Sequence, residues 1–156
     1  MTDSLLSCAI PVLLTVQSVQ TSAEGEKETV EFVTDGTMRR SGNGWVIRYE
    51  ESELTGLEGV WTTVTAEDGK ITVDRSGSFE SHMIFEKNQK HLSLYETPVG
   101  VLSIGTIALG MEHSIDDRGG RIAIEYRLEI ENAFASRSSI ELTMKRMNEP
   151  KGGDNQ

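Results

Sequence analysis

The stretch RIAIEYRLEIE, from Arg121 to Glu131, decides the fold class. Apolar and polar side chains alternate along its whole length, and the polar phase is almost entirely charged. Strict alternation predicts a half-buried β-strand, because successive side chains in a strand point to opposite faces of the sheet. The phase predicted to face the interior is Ile122, Ile124, Tyr126, Leu128 and Ile130.

The same period of two recurs along the chain, in runs that begin near Ile10, Val30, Trp45, Val60, Ile71, Phe79, Leu92 and Ile140. Short turn signals such as SGNG (41–44), EDGK (67–70) and DDRGG (116–120) separate these runs. Residues 52–59 have room for one helical turn at most. The pattern predicts an all-β fold of roughly eight to ten strands. We expect a closed up-and-down antiparallel barrel, with Gly105 and Gly110 at bends in one long strand, because closure removes exposed strand edges.

Composition limits the function classes. The chain has 156 residues, 25 of them acidic and 15 basic, and a formal net charge of −10. This charge repels phosphate backbones and anionic lipids, so we expect neither nucleic acid nor a membrane surface as a partner. We expect one domain over residues 10–147, an N-terminal extension at 1–9 and a disordered tail at 148–156. The single cysteine, Cys8, and the lack of a signal-peptide pattern predict a cytoplasmic protein.

Four short motifs carry a family resemblance: YEE at 49–51, RSG at 75–77, YETPVG at 95–100 and IEYRLEI at 124–130. In this order and spacing they resemble the uncharacterised YwiB-like family of bacterial proteins, over about residues 10 to 147. The resemblance implies a lipocalin-like barrel of the calycin type, found in cytoplasmic proteins of Gram-positive bacteria. It implies no activity, although calycin barrels often hold a small apolar or amphipathic ligand.

Three charged residues continue an apolar phase at the end of a predicted strand. Arg75 follows Ile71 and Val73, Glu51 follows Ile47 and Tyr49, and Glu96 follows Leu92 and Leu94. In an up-and-down barrel these three strands run the same way, so all three charges are predicted at the same mouth of the barrel. Alternate strands lie roughly 10 Å apart, so Arg75 would reach towards either carboxylate.

Two interpretations of this cluster are open. An arginine between two carboxylates is explained by charge pairing alone, because a buried charge needs a partner. Alternatively, the cluster is a binding site, in which Arg75 holds the anionic head group of a small anionic or amphipathic ligand and the apolar lining takes its tail. The candidate ligand-binding residues are then Arg75, Glu51, Glu96, Tyr49 and Tyr126, with the two tyrosine hydroxyls orienting the ligand.

Other functions remain as alternatives. A structural or interaction module, such as a homodimer with a filled barrel, would use an outer apolar patch of Ile84, Leu102 and Ile104. A hydrolase or isomerase that uses the carboxylates is less favoured, because an intervening arginine would keep both ionised. We therefore assign no catalytic residue, cofactor or metal site. The three histidines lack the spacing of zinc ligands, and we expect His82 and His91 on the surface.

Overall fold

The computed structural model describes residues 9–147, except for the side chains of residues 96 and 97. Cys8, the predicted tail at 148–156 and the predicted extension up to residue 8 lie outside the described residues. The all-β prediction is confirmed. The strands are β1 (Ile10–Ser22), β2 (Lys27–Ser41), β3 (Gly44–Glu50), β4 (Val60–Glu67), β5 (Lys70–Gly77), β6 (Ser81–Phe85), β7 (Lys90–Thr97), β8 (Gly100–Asp116), β9 (Gly119–Ile130) and β10 (Ala133–Arg146).

The strands form one antiparallel sheet in the order β6-β5-β4-β3-β2-β1-β10-β9-β8-β7. Each neighbour in this order is also a neighbour along the chain, except for β1 and β10, which pair from Val12–Arg146 to Ser22–Ser136. This pairing joins the two halves of the meander, as the up-and-down prediction requires. The two end strands of the sheet, β6 and β7, face each other at what we call the seam, so the barrel is nearly closed.

Local sequence explains the turns. The two-residue loop Asp68–Gly69 joins β4 to β5, and Gly69 has a positive φ of 73°, as the Asp-Gly signal for a tight hairpin predicts. A bulge interrupts the β8–β9 pairing between Ala108 and Gly110, which confirms Gly110 as a point of irregularity in the long strand. The predicted helical turn is a 3₁₀ turn at Glu53–Thr55.

The interior has two different halves. Around the ends that hold the β2–β3, β4–β5 and β8–β9 turns it is lined by one cluster of buried apolar side chains; we call this the closed half. Its buried side chains include Val12, Leu14, Met38, Trp45, Ile47, Ile71, Phe85, Ile122, Leu142 and Met144. Towards the other end the buried inner positions turn polar; we call this the polar mouth. Its members include Tyr49, Glu51, Thr62, Ser136 and Ser138.

The predicted facing of β7 is wrong. Leu92 and Leu94 are 62% and 74% exposed, whereas Ser93 and Tyr95 are half-buried. The physical reason is that the inner phase of β7 closes the seam: the hydroxyl of Ser93 donates to the carbonyl of His82, and the ring of Tyr95 packs against Phe79. Ile130 was also predicted to face inward, and it is partly exposed at the end of β9.

The predicted outer patch is also wrong in part. Leu102 and Ile104 share the phase of the buried Thr106 and are half-buried on the inner side of β8. Ile84 does alternate with buried Met83 and Phe85, and it is half-buried. The exposed aliphatic side chains on this part of the wall are instead Leu92, Leu94 and Val101. A homodimer stays a prediction.

Candidate functional site

One row of side chains crosses the inner wall at the polar mouth. Tyr49 on β3 pairs with Thr62 on β4, Thr62 pairs with Arg75 on β5, and Arg75 pairs with Ser81 on β6. Directly paired residues of an antiparallel sheet point to the same face. The backbone register therefore brings Arg75 between two hydroxyl-bearing residues, Thr62 and Ser81.

Glu51 lies one step beyond this row and is buried. Its backbone N–H donates to the carbonyl of Val60 at 2.8 Å, which extends the β3–β4 pairing to the carboxylate. The hydroxyl of Thr62 donates to Oε2, and that of Thr55 donates to Oε1 at 3.2 Å. The 3₁₀ turn that carries Thr55 is capped by the Ser52 side chain, so this local turn folds back over the carboxylate.

Arg75 and Glu51 form an ion pair with imperfect geometry. Arg75 Nε lies 3.5 Å from Glu51 Oε2, and the two side chains are 17% and 3% exposed. That contact does not have hydrogen-bond geometry. Arg75 Nε is buried and has no hydrogen-bond acceptor among the described residues. The buried hydroxyl of Ser81, the neighbour of Arg75 across β5 and β6, also has no partner there. Two adjacent donors are thus left open on the same stretch of wall.

The two predicted tyrosines lie near this arginine; Tyr49 is buried and Tyr126 is half-buried. Burial raises the pKa of Tyr49, and the charge of Glu51 raises it further, whereas the charge of Arg75 opposes the shift. Burial also raises the pKa of Tyr126, against the opposing effects of a hydrogen bond with Ser138 and of Arg75. Both phenols therefore stay neutral in the folded protein at pH values where a free tyrosine begins to ionise.

Stability should fall at alkaline pH because of Tyr49. Folding raises the pKa of Tyr49, so the contribution of its neutral phenol to the free energy of unfolding is complete below about pH 10, the pKa of an unfolded tyrosine. This contribution is lost as the pH rises further. We expect the free energy of unfolding of Tyr49→Phe to fall less steeply above that pH than that of the wild type. Urea denaturation across this pH range measures the pH dependence of the free energy of unfolding in both proteins. Equal slopes would show that the ionisation of Tyr49 does not cause the loss of stability.

A cavity of about 240 Å³ opens at the polar mouth. Four of the five predicted site residues line it together: Arg75, Glu51, Tyr49 and Tyr126. The rest of its lining is mixed and includes Val16, Ser18, Gln20, Glu28, Thr55 and Ile140. The sequence phase therefore located these four residues on one surface, although they belong to different strands.

Glu96 is the fifth predicted residue. It lies near the end of β7, the strand whose direction matches those of β3 and β5, and its side chain is outside the described residues. The inward facing of Glu96 was inferred from Leu92 and Leu94, and that premise is wrong because both leucines are exposed. Its place at the site stays a prediction.

The sequence prediction did not include Thr55, Thr62 and Ser81. A signal for Thr62 was present, because Val60, Thr62, Val64 and Ala66 form one phase of β4 and all four are buried. Ser81 follows from the register with Arg75, which the sequence alone does not fix. Thr55 reaches Glu51 through the 3₁₀ turn and had no periodic signal.

None of the three histidines lines the cavity of the polar mouth. His82 is exposed, as predicted, and pairs with Asp74. His91, also predicted on the surface, is half-buried, and its Nε2 lies 2.8 Å from Glu86 Oε1. Within residues 9–147, no group of three or more histidine, cysteine, aspartate or glutamate side chains is arranged to hold a metal ion. In the same range, no helix is long and apolar enough to cross a membrane.

Comparison with known proteins agrees with this barrel. Residues 14–142 match the model of a protein family described as a domain of unknown function, DUF1934. The chain belongs to the DUF1934 family. The match spans β1 to β10, so the strands that build the polar mouth lie inside the DUF1934 region.

A relative and a solved structure support the same assignment. The chain is 28% identical over 120 residues to the "uncharacterized beta-barrel protein YwiB" of Bacillus subtilis strain 168. The aligned region covers 77% of this chain and 82% of that protein. The crystal structure of the ywiB protein from Bacillus subtilis superposes with a TM-score of 0.78 at 25% identity, covering 90% of this chain and 94% of that one. These matches confirm the predicted YwiB-like resemblance and the barrel, and they carry no activity to this DUF1934 protein.

Proposed function

We propose that the protein binds a small, polar, anionic molecule at the polar mouth, and that Arg75 holds the anion. The observation that supports this best is the unused Nε–H of Arg75, which is buried beside the unused hydroxyl of Ser81. Buried donors without acceptors are costly, since a lost hydrogen bond of this kind costs about 1–3 kcal/mol. A carboxylate or phosphate oxygen at this point would accept from both.

Glu51 does not remove the need for such an acceptor. Both of its carboxylate oxygens already accept hydrogen bonds from threonine hydroxyls, and it approaches Arg75 only at 3.5 Å. Glu51 therefore lowers the cost of burying the arginine charge without using the directional capacity of the guanidinium. Because the charge of Glu51 offsets that of Arg75, an anionic ligand that binds beside Glu51 gains its binding free energy from directed hydrogen bonds rather than from a positive potential.

The size of the cavity narrows the ligand class. At about 240 Å³ it is smaller than the roughly 300–1,000 Å³ of sites for drug-sized ligands. The closed half beneath it holds one cluster of buried apolar side chains, so we expect no space there for a long apolar tail. We therefore propose a compact ligand in place of the longer amphipathic one. Two charge-assisted hydrogen bonds to such a ligand give a Kd of roughly 10 µM to 10 mM.

Titration with sodium acetate and with inorganic phosphate tests this proposal. Calorimetry or tryptophan fluorescence of the wild type should show saturable binding of at least one anion. Arg75→Gln should weaken that binding by about tenfold or more, because a charged donor is lost. Arg75→Lys keeps the charge but loses the planar fork, so it should bind with intermediate affinity. Equal affinities in all three proteins would refute the proposal.

A further inference from the structure

The seam between β6 and β7 is joined without a regular backbone ladder. Ser93 Oγ donates to the carbonyl of His82 at 2.8 Å, and Thr106 Oγ1 donates to that of Ile84 at 3.1 Å. Nearer the mouth, the rings of Phe79 and Tyr95 meet edge to face with centroids 6.3 Å apart. Side chains thus hold together two strand edges that remain the ends of the hydrogen-bonded sheet.

A groove of about 650 Å³ lies along this seam. We call it the seam groove; its lining includes Ser81 and His82 on β6, Ser93 and Leu94 on β7, and Arg75. Arg75 lines both the seam groove and the cavity of the polar mouth. Arg75 therefore lies where a ligand could approach its side chain from outside the wall as well as from the mouth, whereas Ser81 lines the seam groove only.

We infer that the seam groove receives the C-terminal end of an extended polypeptide from another protein, with the terminal carboxylate on Arg75. This inference rests on the proposed anion site. The strand edges indicate a peptide, because an extended backbone offers the alternating donors and acceptors that an unpaired edge lacks. The carbonyl of His82 faces the seam, where Ser93 Oγ donates to it, and the N–H of the same residue points the same way and is the group that a peptide carbonyl would meet.

Charge and exposure indicate which part of a polypeptide fits. The groove includes Arg75, whose unused donor is complementary to a free carboxylate. Two carboxylates also line it, Asp74, which pairs with His82, and Glu80, so Arg75 offers its donor in a wall of mixed charge. The exposed Leu92 and Leu94 on its rim offer an apolar surface to the side chains that precede that carboxylate. Leu92 to Tyr95, which line the groove, span about 10 Å, so the groove accommodates the last three or so residues of a chain.

The probes are N-acetyl-Ser-Val-Leu as the free acid, the same peptide as the C-terminal amide, and sodium acetate. We expect the free acid to bind the wild type about tenfold or more tightly than either the amide or acetate. It alone combines a carboxylate for Arg75 with a peptide chain for the strand edge and the exposed leucines. Amide resonances of His82 and Ser93 should shift with the free acid. Leu94→Ser should weaken the binding of the free-acid peptide but not the binding of acetate. Val33→Ser, which alters an exposed residue on β2, is the matched control and should change neither.

Each other outcome has a definite meaning. If acetate binds through Arg75 and the free acid binds no better, the peptide inference is overturned and the anion site stands. If no probe responds to Arg75→Gln or Arg75→Lys, both proposals fall. If sedimentation shows that the wild type associates with itself and Leu94→Ser abolishes this, the apolar rim belongs to a contact between copies, and the peptide inference is again overturned.

Discussion

Replacing Glu51 with alanine is expected to lower the free energy of unfolding by about 3–5 kcal/mol, the range for removing one partner of a buried ion pair. The carboxylate is the only acceptor described for the hydroxyl of Thr62, and it is the ion-pair partner of Arg75. Its loss leaves the arginine charge and the threonine donor buried without compensation. Urea denaturation followed by circular dichroism measures the change.

Glu50 provides a matched control, since it precedes Glu51 on β3 and is exposed on the outer wall. Glu50→Ala should change the free energy of unfolding by no more than about 0.5 kcal/mol. The double variant Glu51→Leu with Arg75→Met should recover most of the stability lost in Glu51→Ala, because apolar residues of similar volume often replace a buried ion pair at little cost. Similar effects of Glu50→Ala and Glu51→Ala would mean that the carboxylate is solvated.

Phe85→Ala should destabilise the protein by about 3–5 kcal/mol, the range for truncating a buried aromatic side chain. Phe85 is fully buried in the closed half, and its ring centroid lies 4.8 Å from that of Tyr126, at the border with the polar mouth. The truncation removes this packing and leaves a cavity below the mouth. Thermal or urea denaturation gives the loss directly.

Phe79 is the control for this substitution, because it is partly exposed and outside the regular strands. Phe79→Ala should cost about 1 kcal/mol or less. A loss below about 1 kcal/mol for Phe85→Ala itself would indicate a loosely filled closed half with room for an apolar ligand tail. That result would revise the ligand class from a compact anion to a longer amphipathic molecule.

Alternation in the sequence predicted most of the barrel. In β9 the inward phase of Ile122, Ile124 and Tyr126 was predicted directly, because the other phase is almost entirely charged. The same rule placed Arg75 and Glu51 on the inner wall at one end. It worked because a meander with short turns leaves few alternative connections, so strand direction follows from counting hairpins.

The rule failed where the inner phase of a strand is polar. In β7 the alternation was recognised, but its apolar phase, Leu92 and Leu94, lies outside. Period alone does not say which phase is buried, and the assumption that apolar residues face inward breaks down at the seam. The closure of β1 on β10 and the open seam between β6 and β7 also depend on long-range pairing, which no local pattern encodes.

Binding of an anion at Arg75 can be followed through its Nε–Hε resonance in a two-dimensional proton–nitrogen spectrum during an acetate titration. We expect a saturable shift of this resonance, accompanied by a shift of the Ser81 amide. The exposed Arg137, which already donates through Nε to Glu125 at 2.8 Å, provides an internal control and should hardly move. If the shift of Arg75 is no larger than that of Arg137, the polar mouth is an internal charge pair and not an anion site.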